Sequence, residues 1–257
     1  MSEQPLLGRP IWYELLTTDK KAAEDFYTKV VGWTTAPFPQ SPDPYSMWMR
    51  NGNVPVGGVM TIPEGMNFPP HWEMYIAVPN LEETVKKIES LGGKALSGVI
   101  EVPTVGRMRT MLDPQGALFA IHEPAGEPMA PEAPAEVGDA SWRELYTDDA
   151  KAALKFYGDV FGWKNTNNFD MGPMGTYYMF GRGWDLGGMM SKTKEMAQVP
   201  TAWGIYFRVP DVDAGAERIK ANGGKVINGP MDVPDGDRIV NGIDPQGAFF
   251  SLHARKA

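Results

Sequence analysis

The 257-residue chain is 42% hydrophobic, carries a net charge of −8 and contains no cysteine. This length is enough for two domains of roughly 120 residues, each with its own hydrophobic core. The acidic balance and the lack of a basic run argue against nucleic acid or an anionic membrane as a partner, and the missing cysteines exclude disulfides and zinc–thiolate sites. No signal-like start or long apolar run is present, so a cytoplasmic location is predicted, with homo-oligomer formation left open.

A strand, a helix and a hairpin are predicted over the first 62 residues. Loose alternation over residues 10–18 predicts the strand, and Asp19 is placed as the N-cap of a helix over Lys20–Val31. Gly32 ends that helix. The module closes with a hairpin, made of a strand ending near Trp48, the turn Asn51-Gly52 and a strand over Val54–Ile62.

The same order of elements restarts at Trp72. A strand over Trp72–Val78 leads to Asn80 as an N-cap, and the helix Leu81–Leu91 ends at Gly92. Three further strands are predicted around Ala95–Val99, Arg107–Leu112 and Leu118–His122. The chain up to residue 125 is therefore predicted as one domain of two similar modules, about 8–62 and 70–124.

Three motifs of this first domain occur again about 130 residues later, and a fixed offset indicates tandem copies of one domain. They are Trp-x-Glu-Leu at 12–15 and 142–145, Phe-Tyr-x-x-Val-x-Gly-Trp at 26–33 and 156–163, and Asp-Pro-Gln-Gly-Ala at 113–117 and 244–248. The second domain is predicted over residues 138–257, with Asp149 and Asp211 as N-caps. Residues 126–137 are rich in proline and are interpreted as the linker.

Paired strand–helix–three-strand modules with these two longer motifs resemble the vicinal oxygen chelate superfamily, which includes glyoxalases, bleomycin-resistance proteins and extradiol dioxygenases. The resemblance covers nearly the whole chain and is closest to two-domain, glyoxalase-like members. It implies an α+β fold in which four βαβββ modules pair into two cup-shaped, mixed-sheet domains. Fold alone does not determine function.

Metal-dependent members of that family hold the ion with residues on the first and last strands of each module. The matching positions, counted from the helix caps and from the Asp-Pro-x-Gly turns, are Trp12, Trp142, Glu73, Gly204, Ala120 and Ser251. Only Glu73 is a usual ligand, whereas a divalent ion needs at least three well-placed nitrogen or oxygen ligands. The comparison therefore predicts no metal ion, and no other cofactor, in either domain.

Two alternatives to a metal-free binding protein stay open. Strand alternation places Glu14, Glu73 and His122 where they could form a displaced metal site in the first domain. Alternatively, Glu14 and Glu144, each in aromatic surroundings, could act as general acids or bases. The repeated Trp-x-Glu-Leu is equally compatible with a structural role, in which the glutamate binds a backbone group, a tyrosine or an arginine.

The other candidate ligand-binding residues share strand phases with these positions. The indoles of Trp12 and Trp142 either stack on an aromatic ligand or fill the cavity. His122 and His253 are either half-exposed residues at strand ends or polar groups at a cavity mouth. The remaining members of the predicted lining are Tyr75, Tyr206 and Arg208.

The sequence thus predicts a small-molecule binding protein for an apolar or aromatic ligand, in detoxification, resistance or secondary metabolism. The alternative is a glyoxalase-like lyase or a hydroxylase or dioxygenase. A scaffold without any ligand is the third hypothesis.

Overall fold

The structure is a computed structural model that describes residues 6–38, 45–126, 133–234 and 236–256. Of the predicted linker 126–137, residues 127–132 lie outside the described residues. The first half of the chain contains, in order, β1 Arg9–Thr17, α1 Lys20–Val30, β2 Thr34–Pro37, β3 Ser46–Arg50, β4 Val54–Thr61, β5 His71–Ala77, α2 Leu81–Ser90, β6 Lys94–Ala95, β7 Ile100–Val102, β8 Gly106–Leu112 and β9 Leu118–Pro124.

The second half repeats this order of strands and helices. It contains β10 Ala140–Thr147, α3 Ala150–Phe161, β11 Lys164–Asp170, β12 Thr176–Gly181, β13 Asp185–Ser191, β14 Ala202–Arg208, α4 Val212–Ala221, β15 Lys225–Asp232, β16 Arg238–Ile243 and β17 Phe249–Ala254. None of the helices within the described ranges is long and apolar enough to cross a lipid bilayer.

The strands form two mixed sheets, one from each half of the chain. The first follows the order β2-β3-β4-β1-β5-β9-β8-β6, with β7 paired to β8, and the second follows β11-β12-β13-β10-β14-β17-β16-β15. The first strand of a module pairs in parallel with its last strand, as β1 does with β4, whereas the hairpin pairs are antiparallel. The predicted α+β class, built from four modules in two mixed-sheet domains, is confirmed.

All four predicted N-caps are confirmed, because each cap side chain accepts a hydrogen bond from the third residue that follows it. The pairs are Asp19 with the backbone N–H of Ala22 at 3.0 Å, Asn80 with Glu83 at 2.9 Å, Asp149 with Ala152 at 2.9 Å, and Asp211 with Ala214 at 3.1 Å. Four loop residues thus fix where the four helices begin.

The predicted strand around Ala95–Val99 is wrong. Two short strands, β6 and β7, take its place, and both pair with β8. Between them the chain leaves the sheet, where Leu96 and Val99 are exposed and Ser97 Oγ accepts a hydrogen bond from Thr110 N–H at 3.1 Å. The serine hydroxyl satisfies a strand donor that a regular partner strand would otherwise bind.

Two compact units are present, and each combines residues from both halves of the chain. One unit comprises Met1–Ile11, Met74–Glu132 and Arg143–Trp203, and the other comprises Trp12–Glu73, Ala133–Trp142 and Gly204–Ala257. Within the first of these α2 contacts α3, and within the second α1 contacts α4. The predicted boundaries 1–125, 126–137 and 138–257 separate the two sheets, and as boundaries of independent folding they stay a prediction.

The repeated motifs meet inside these units. In the unit that contains α1, the fully buried Tyr27 donates a hydrogen bond to Asp244 Oδ2 at 3.1 Å and accepts one from Trp72 Nε1 at 2.9 Å. The other oxygen of Asp244 accepts from the backbone N–H groups of Gln246, Gly247 and Ala248. A tyrosine of one copy thus binds the aspartate turn of the other copy.

The other unit repeats the arrangement with the copies exchanged. Tyr157 donates to Asp113 Oδ2 at 3.1 Å and accepts from Trp203 Nε1 at 3.0 Å. The buried Trp33 and Trp163 follow the same rule, because their indole N–H groups donate to Gly138 O at 2.8 Å and to Gly8 O at 2.7 Å respectively. The motifs recur because each copy supplies the partner of the other.

The buried tyrosines give a first testable prediction. Tyr27→Phe and Tyr157→Phe should each lower the free energy of unfolding by about 1–3 kcal/mol, because each leaves a buried indole N–H and a carboxylate oxygen without a partner. Urea unfolding measures this, with Tyr178→Phe on the half-buried surface of β12 as the matched control. A loss equal to that of the control would contradict the structural role.

The two buried aspartates predict a pH dependence. Burial raises the pKa of Asp113 and Asp244 above the ordinary value of 3.8, although their hydrogen bonds oppose it. The native state therefore binds these protons more tightly than the unfolded chain does. Their contribution to stability is fully present below pH 3.8 and is lost as pH rises through the folded-state pKa. Relative to the Asp113→Asn/Asp244→Asn variant, the wild type should lose stability from acid to neutral pH. A relative gain in that direction would be the wrong sign.

Independent folding of the predicted domains is also testable. Residues 1–125 alone would expose buried aromatic side chains of α1 and β5, because these pack against residues of the second copy. The ring centroids of Tyr27 and Phe250 are 5.2 Å apart, and those of Trp72 and Phe207 are 4.7 Å apart. We expect this fragment to aggregate or self-associate, and to become soluble when co-expressed with residues 138–257. Size-exclusion chromatography and circular dichroism decide this, and a monomer that unfolds cooperatively would refute it.

Candidate ligand-binding site

The predicted site residues alternate along their strands with residues of the hydrophobic core. On β1, Tyr13 and Leu15 are buried in the core, and Trp12 and Glu14 lie on the opposite face. The predicted residues are carried by β1 (Trp12, Glu14), β5 (Glu73, Tyr75), β9 (His122), β10 (Trp142, Glu144), β14 (Tyr206, Arg208) and β17 (His253). Their side chains therefore project from ordered strands rather than from loops.

A hydrogen-bonded chain joins Trp12 to Glu14 through a residue that sequence reasoning missed. Trp12 Nε1 donates to the hydroxyl of Tyr45 at 2.9 Å, and that hydroxyl in turn donates to the carboxylate of Glu14. Burial, and then the negative charge of Glu14, raise the pKa of Tyr45 far above its usual range, so the phenol stays protonated. Trp12 is half-buried and Glu14 is 8% exposed.

Tyr45 reaches Glu14 only because β4 carries a glycine pair. A Cβ on Gly58 would lie 1.8 Å from the Tyr45 hydroxyl oxygen, and one on Gly57 would lie 2.3 Å from the backbone oxygen of Tyr13. One glycine therefore admits the tyrosine, and the other admits the neighbouring strand. The glycine pair was the signal in the sequence that could have indicated a bulky side chain packed above it.

The second copy keeps this arrangement with a different hydrogen bond. A Cβ on Gly188 would lie 2.0 Å from the ring of Tyr177, so this tyrosine occupies the place that Tyr45 has in the first copy. Glu144 Oε2 here accepts a short hydrogen bond from Tyr146, two residues along the same strand. Both predicted catalytic glutamates are thus buried, and each accepts from a tyrosine.

Tyr75 and His122 lie together in the unit that contains α2. Their rings meet edge to face with centroids 6.5 Å apart, and His122 Nε2 lies 3.2 Å from Val105 O. Burial lowers the pKa of His122, with partial opposition from that carbonyl, so the ring is neutral at neutral pH. His122 and His253 are only 7% and 8% exposed, so the interpretation of half-exposed strand ends is wrong.

His253 stands in a polar network that His122 does not have. Its Nδ1 lies 2.8 Å from Ser141 Oγ, and its Nε2 lies 2.8 Å from Asp237 Oδ2. Burial by itself would raise the pKa of Asp237, but hydrogen bonds from Lys256 N–H and from His253 bring it below the usual value. Ser141 and Asp237 were not among the predicted residues, because neither lies in a repeated motif.

Tyr206 belongs to a second polar group in the same unit. Asn241 Nδ2 donates to the Tyr206 hydroxyl at 3.2 Å and to Ser251 Oγ at 2.7 Å, and all three residues are buried. The strand register places Ser251 opposite Tyr206. The buried polar side chains of this group are therefore bonded to one another.

The family's metal ion does not fit the residues at its expected positions. The indole nitrogen of Trp12 is a donor without a free lone pair and is already bonded to Tyr45, and neither Ala120 nor Gly204 has a ligating side chain. Among the described residues, no group of three His, Cys, Asp or Glu side chains could hold a metal ion. The displaced set Glu14, Glu73 and His122 is not brought together as such a group, and its members are divided between the two compact units.

Comparison with known proteins gives a consistent family. Residues 13–122 match the glyoxalase-like domain, and residues 140–252 match the glyoxalase/bleomycin resistance protein/dioxygenase superfamily. “Putative glyoxylase CFP32” of Mycobacterium tuberculosis is 35% identical over 250 residues, covering 95% of this chain and 94% of that protein. The anthracycline biosynthesis protein DnrV of Streptomyces peucetius is 30% identical over 264 residues, with coverage of 95% and 92%.

Solved structures show the same fold at low sequence identity. The Mn(II)-bound glyoxalase from Novosphingobium aromaticivorans is 17% identical with a TM-score of 0.66, covering 96% of this chain and 82% of that one. The 2,2',3-trihydroxybiphenyl 1,2-dioxygenase from Sphingomonas wittichii RW1 is 11% identical with a TM-score of 0.69, covering 97% and 91%. As its repeated motifs predicted, the chain belongs to the vicinal oxygen chelate superfamily of glyoxalases, bleomycin-resistance proteins and dioxygenases.

Proposed function

We propose that the protein binds a small apolar or aromatic molecule beside Trp12, and that it does so without a divalent ion. The observation that carries this proposal is the hydrogen-bonded chain from Trp12 through Tyr45 to Glu14. The indole of Trp12 stands at the family's metal-ligand position, and the phenol of Tyr45 donates to the carboxylate of Glu14. An aromatic surface therefore takes the place that the metal ion has in metal-dependent relatives.

The physical basis of binding is the half-buried indole. Its N–H is bonded inside the protein, so the ring plane is fixed, while part of the ring stays accessible. A fixed aromatic plane stacks on a flat ligand with little loss of side-chain entropy. Trp142 is likewise half-buried at the matching position of the second copy. The name of DnrV, an anthracycline biosynthesis protein, supports polycyclic aromatic compounds as the class to test first.

An acid–base enzyme is the second candidate function, and the tyrosine–glutamate hydrogen bonds favour it. Glu14 and Glu144 are both buried and both accept from a phenol, an arrangement that orients a carboxylate for proton transfer. The glyoxylase name of CFP32 supports a small carbonyl compound as the substrate of such an enzyme.

A cytoplasmic location remains a proposal from composition alone.

Replacement of the indole tests the binding function. Trp12→Ala should weaken binding of the neutral probe 1-naphthol by about tenfold or more, because stacking contributes about 0.5–1.5 kcal/mol beyond the burial of apolar area and 1.4 kcal/mol is tenfold. Calorimetric titration of chelator-treated protein measures this. Trp184→Ala is the matched control, because Trp184 is an exposed tryptophan on the loop before β13.

Three results would count against the proposal. Equal loss in Trp12→Ala and Trp184→Ala would remove Trp12 from the site. Elemental analysis showing Ni, Zn, Fe or Mn near one per chain, with binding lost after chelation, would restore a metal. Turnover of the methylglyoxal–glutathione adduct that is abolished by Glu14→Gln or Glu73→Gln would select the enzyme. We expect no such turnover.

A further inference from the structure

Arg208 is a buried arginine, and two of its side-chain nitrogens have no hydrogen-bond partner within the described part of the chain. The side chain is 7% exposed, and its Nε and Nη1 atoms are buried with no hydrogen-bond partner in the described structure. Burial, and then the nearby charge of Arg255, lower the pKa of Arg208. A buried guanidinium is normally bonded to a carboxylate or phosphate, because removing its hydration costs several kcal/mol. The two free donors therefore require an explanation.

The neighbouring carboxylates are committed to other partners. Asp139 forms an ion pair with Arg50, with Oδ1 3.0 Å from Nε, and its Oδ2 accepts a hydrogen bond from the backbone N–H of Glu136 at 2.8 Å. Asp237 Oδ2 lies 2.8 Å from His253 Nε2, and Asp237 Oδ1 accepts from the backbone N–H of Lys256 at 2.9 Å. Both raise the pKa of Arg208 through their charge, but burial and the charge of Arg255 outweigh them, so the pKa is lowered. The Nε and Nη1 donors of Arg208 still have no hydrogen-bond partner among the described residues.

Comparison of the two copies shows that Arg208, Ser141 and Asp237 are present only in the second. His122 and His253 occupy the same register, opposite Ala77 in the first copy and opposite Arg208 in the second. At the matching offsets, the first copy has Ile11 where the second has Ser141, and Gly106 where the second has Asp237. The first copy folds without the arginine, the serine and the aspartate, so the shared scaffold does not need them.

We propose that Arg208 binds the carboxylate group of a small organic acid through its Nε and Nη1 donors. The guanidinium supplies charge and donors, whereas the Ser141 hydroxyl and both ring nitrogens of His253 are already bonded within the protein. Asp237 holds the imidazole through Nε2, which orients it. Tyr206 lies two residues before Arg208 on β14 and so shares its face of the strand, which favours an aromatic acid. Trp12 is carried by the first sheet and Arg208 by the second, so this inference goes beyond the proposed function and gives the second sheet a ligand class of its own.

The test compares an aromatic acid with its neutral amide. We expect 1-naphthoate to bind the full-length protein roughly tenfold to a hundredfold more tightly than 1-naphthamide in calorimetric titration, because hydrogen bonds to charged groups are the strong ones. Arg208→Met should abolish this difference by weakening the binding of naphthoate. Arg238→Met is the matched control, because Arg238 is paired at the surface with Asp213 and Asp232.

A second measurement tests carboxylate binding separately from the aromatic part of the ligand. Acetate should raise the unfolding temperature of the wild type but not that of Arg208→Met. Naphthamide binding with no advantage for naphthoate would refute the inference and leave the proposed function intact. An acetate effect that depends on Arg208, without binding of either aromatic probe, would support the inference and refute the proposed function. The absence of both effects would overturn the inference.

Discussion

The fold depends on a buried tyrosine that bridges an indole and a carboxylate across the two copies of the domain. Tyr27 and Tyr157 each accept from a tryptophan and donate to an aspartate that also holds the turn before a last strand. The network is buried, so its groups can be satisfied only by each other. An aspartate with a raised pKa is tolerated there because it fixes helix, turn and strand at one point.

This constraint acts on one face of each sheet and leaves the other face open to change. Strand side chains alternate, so the residues that pack against the helices are interleaved with residues that do not. On β1, Leu15 is fully buried in the core, whereas Glu14 points the other way toward Tyr45. A strand that is fixed from one side is a rigid support for chemistry on the other. The half-buried indole of Trp12 projects from such a strand, and its N–H is bonded to Tyr45, which directly precedes β3.

The sequence predicted what is local and missed what is brought together by register. Helix caps such as Asp19, and the alternation around Glu14, depend on residues a few positions apart, and the structure agrees with them. Tyr45 and Asp237 become partners of Glu14 and His253 through strand pairing and chain reversal, which no local pattern encodes. The repeats did report the fold, because each copy needs the other's motif. They also indicated Trp12 and Glu14, which lie in a repeated motif, but not Ser141 and Asp237, which have no counterpart in the first copy.

That difference bears on how the two copies can serve one function. His122 and His253 share a strand position, yet one ring faces a backbone carbonyl while the other lies between Ser141 and Asp237. The tyrosine–aspartate bridges are present in both copies, so the scaffold tolerates either set of surroundings. Glu14 and Glu144 likewise keep the same carboxylate but bind tyrosines that come from different strands. Two surfaces on equivalent supports can therefore recognise different chemical groups, with flat apolar area favoured beside Trp12 and negative charge favoured beside Arg208.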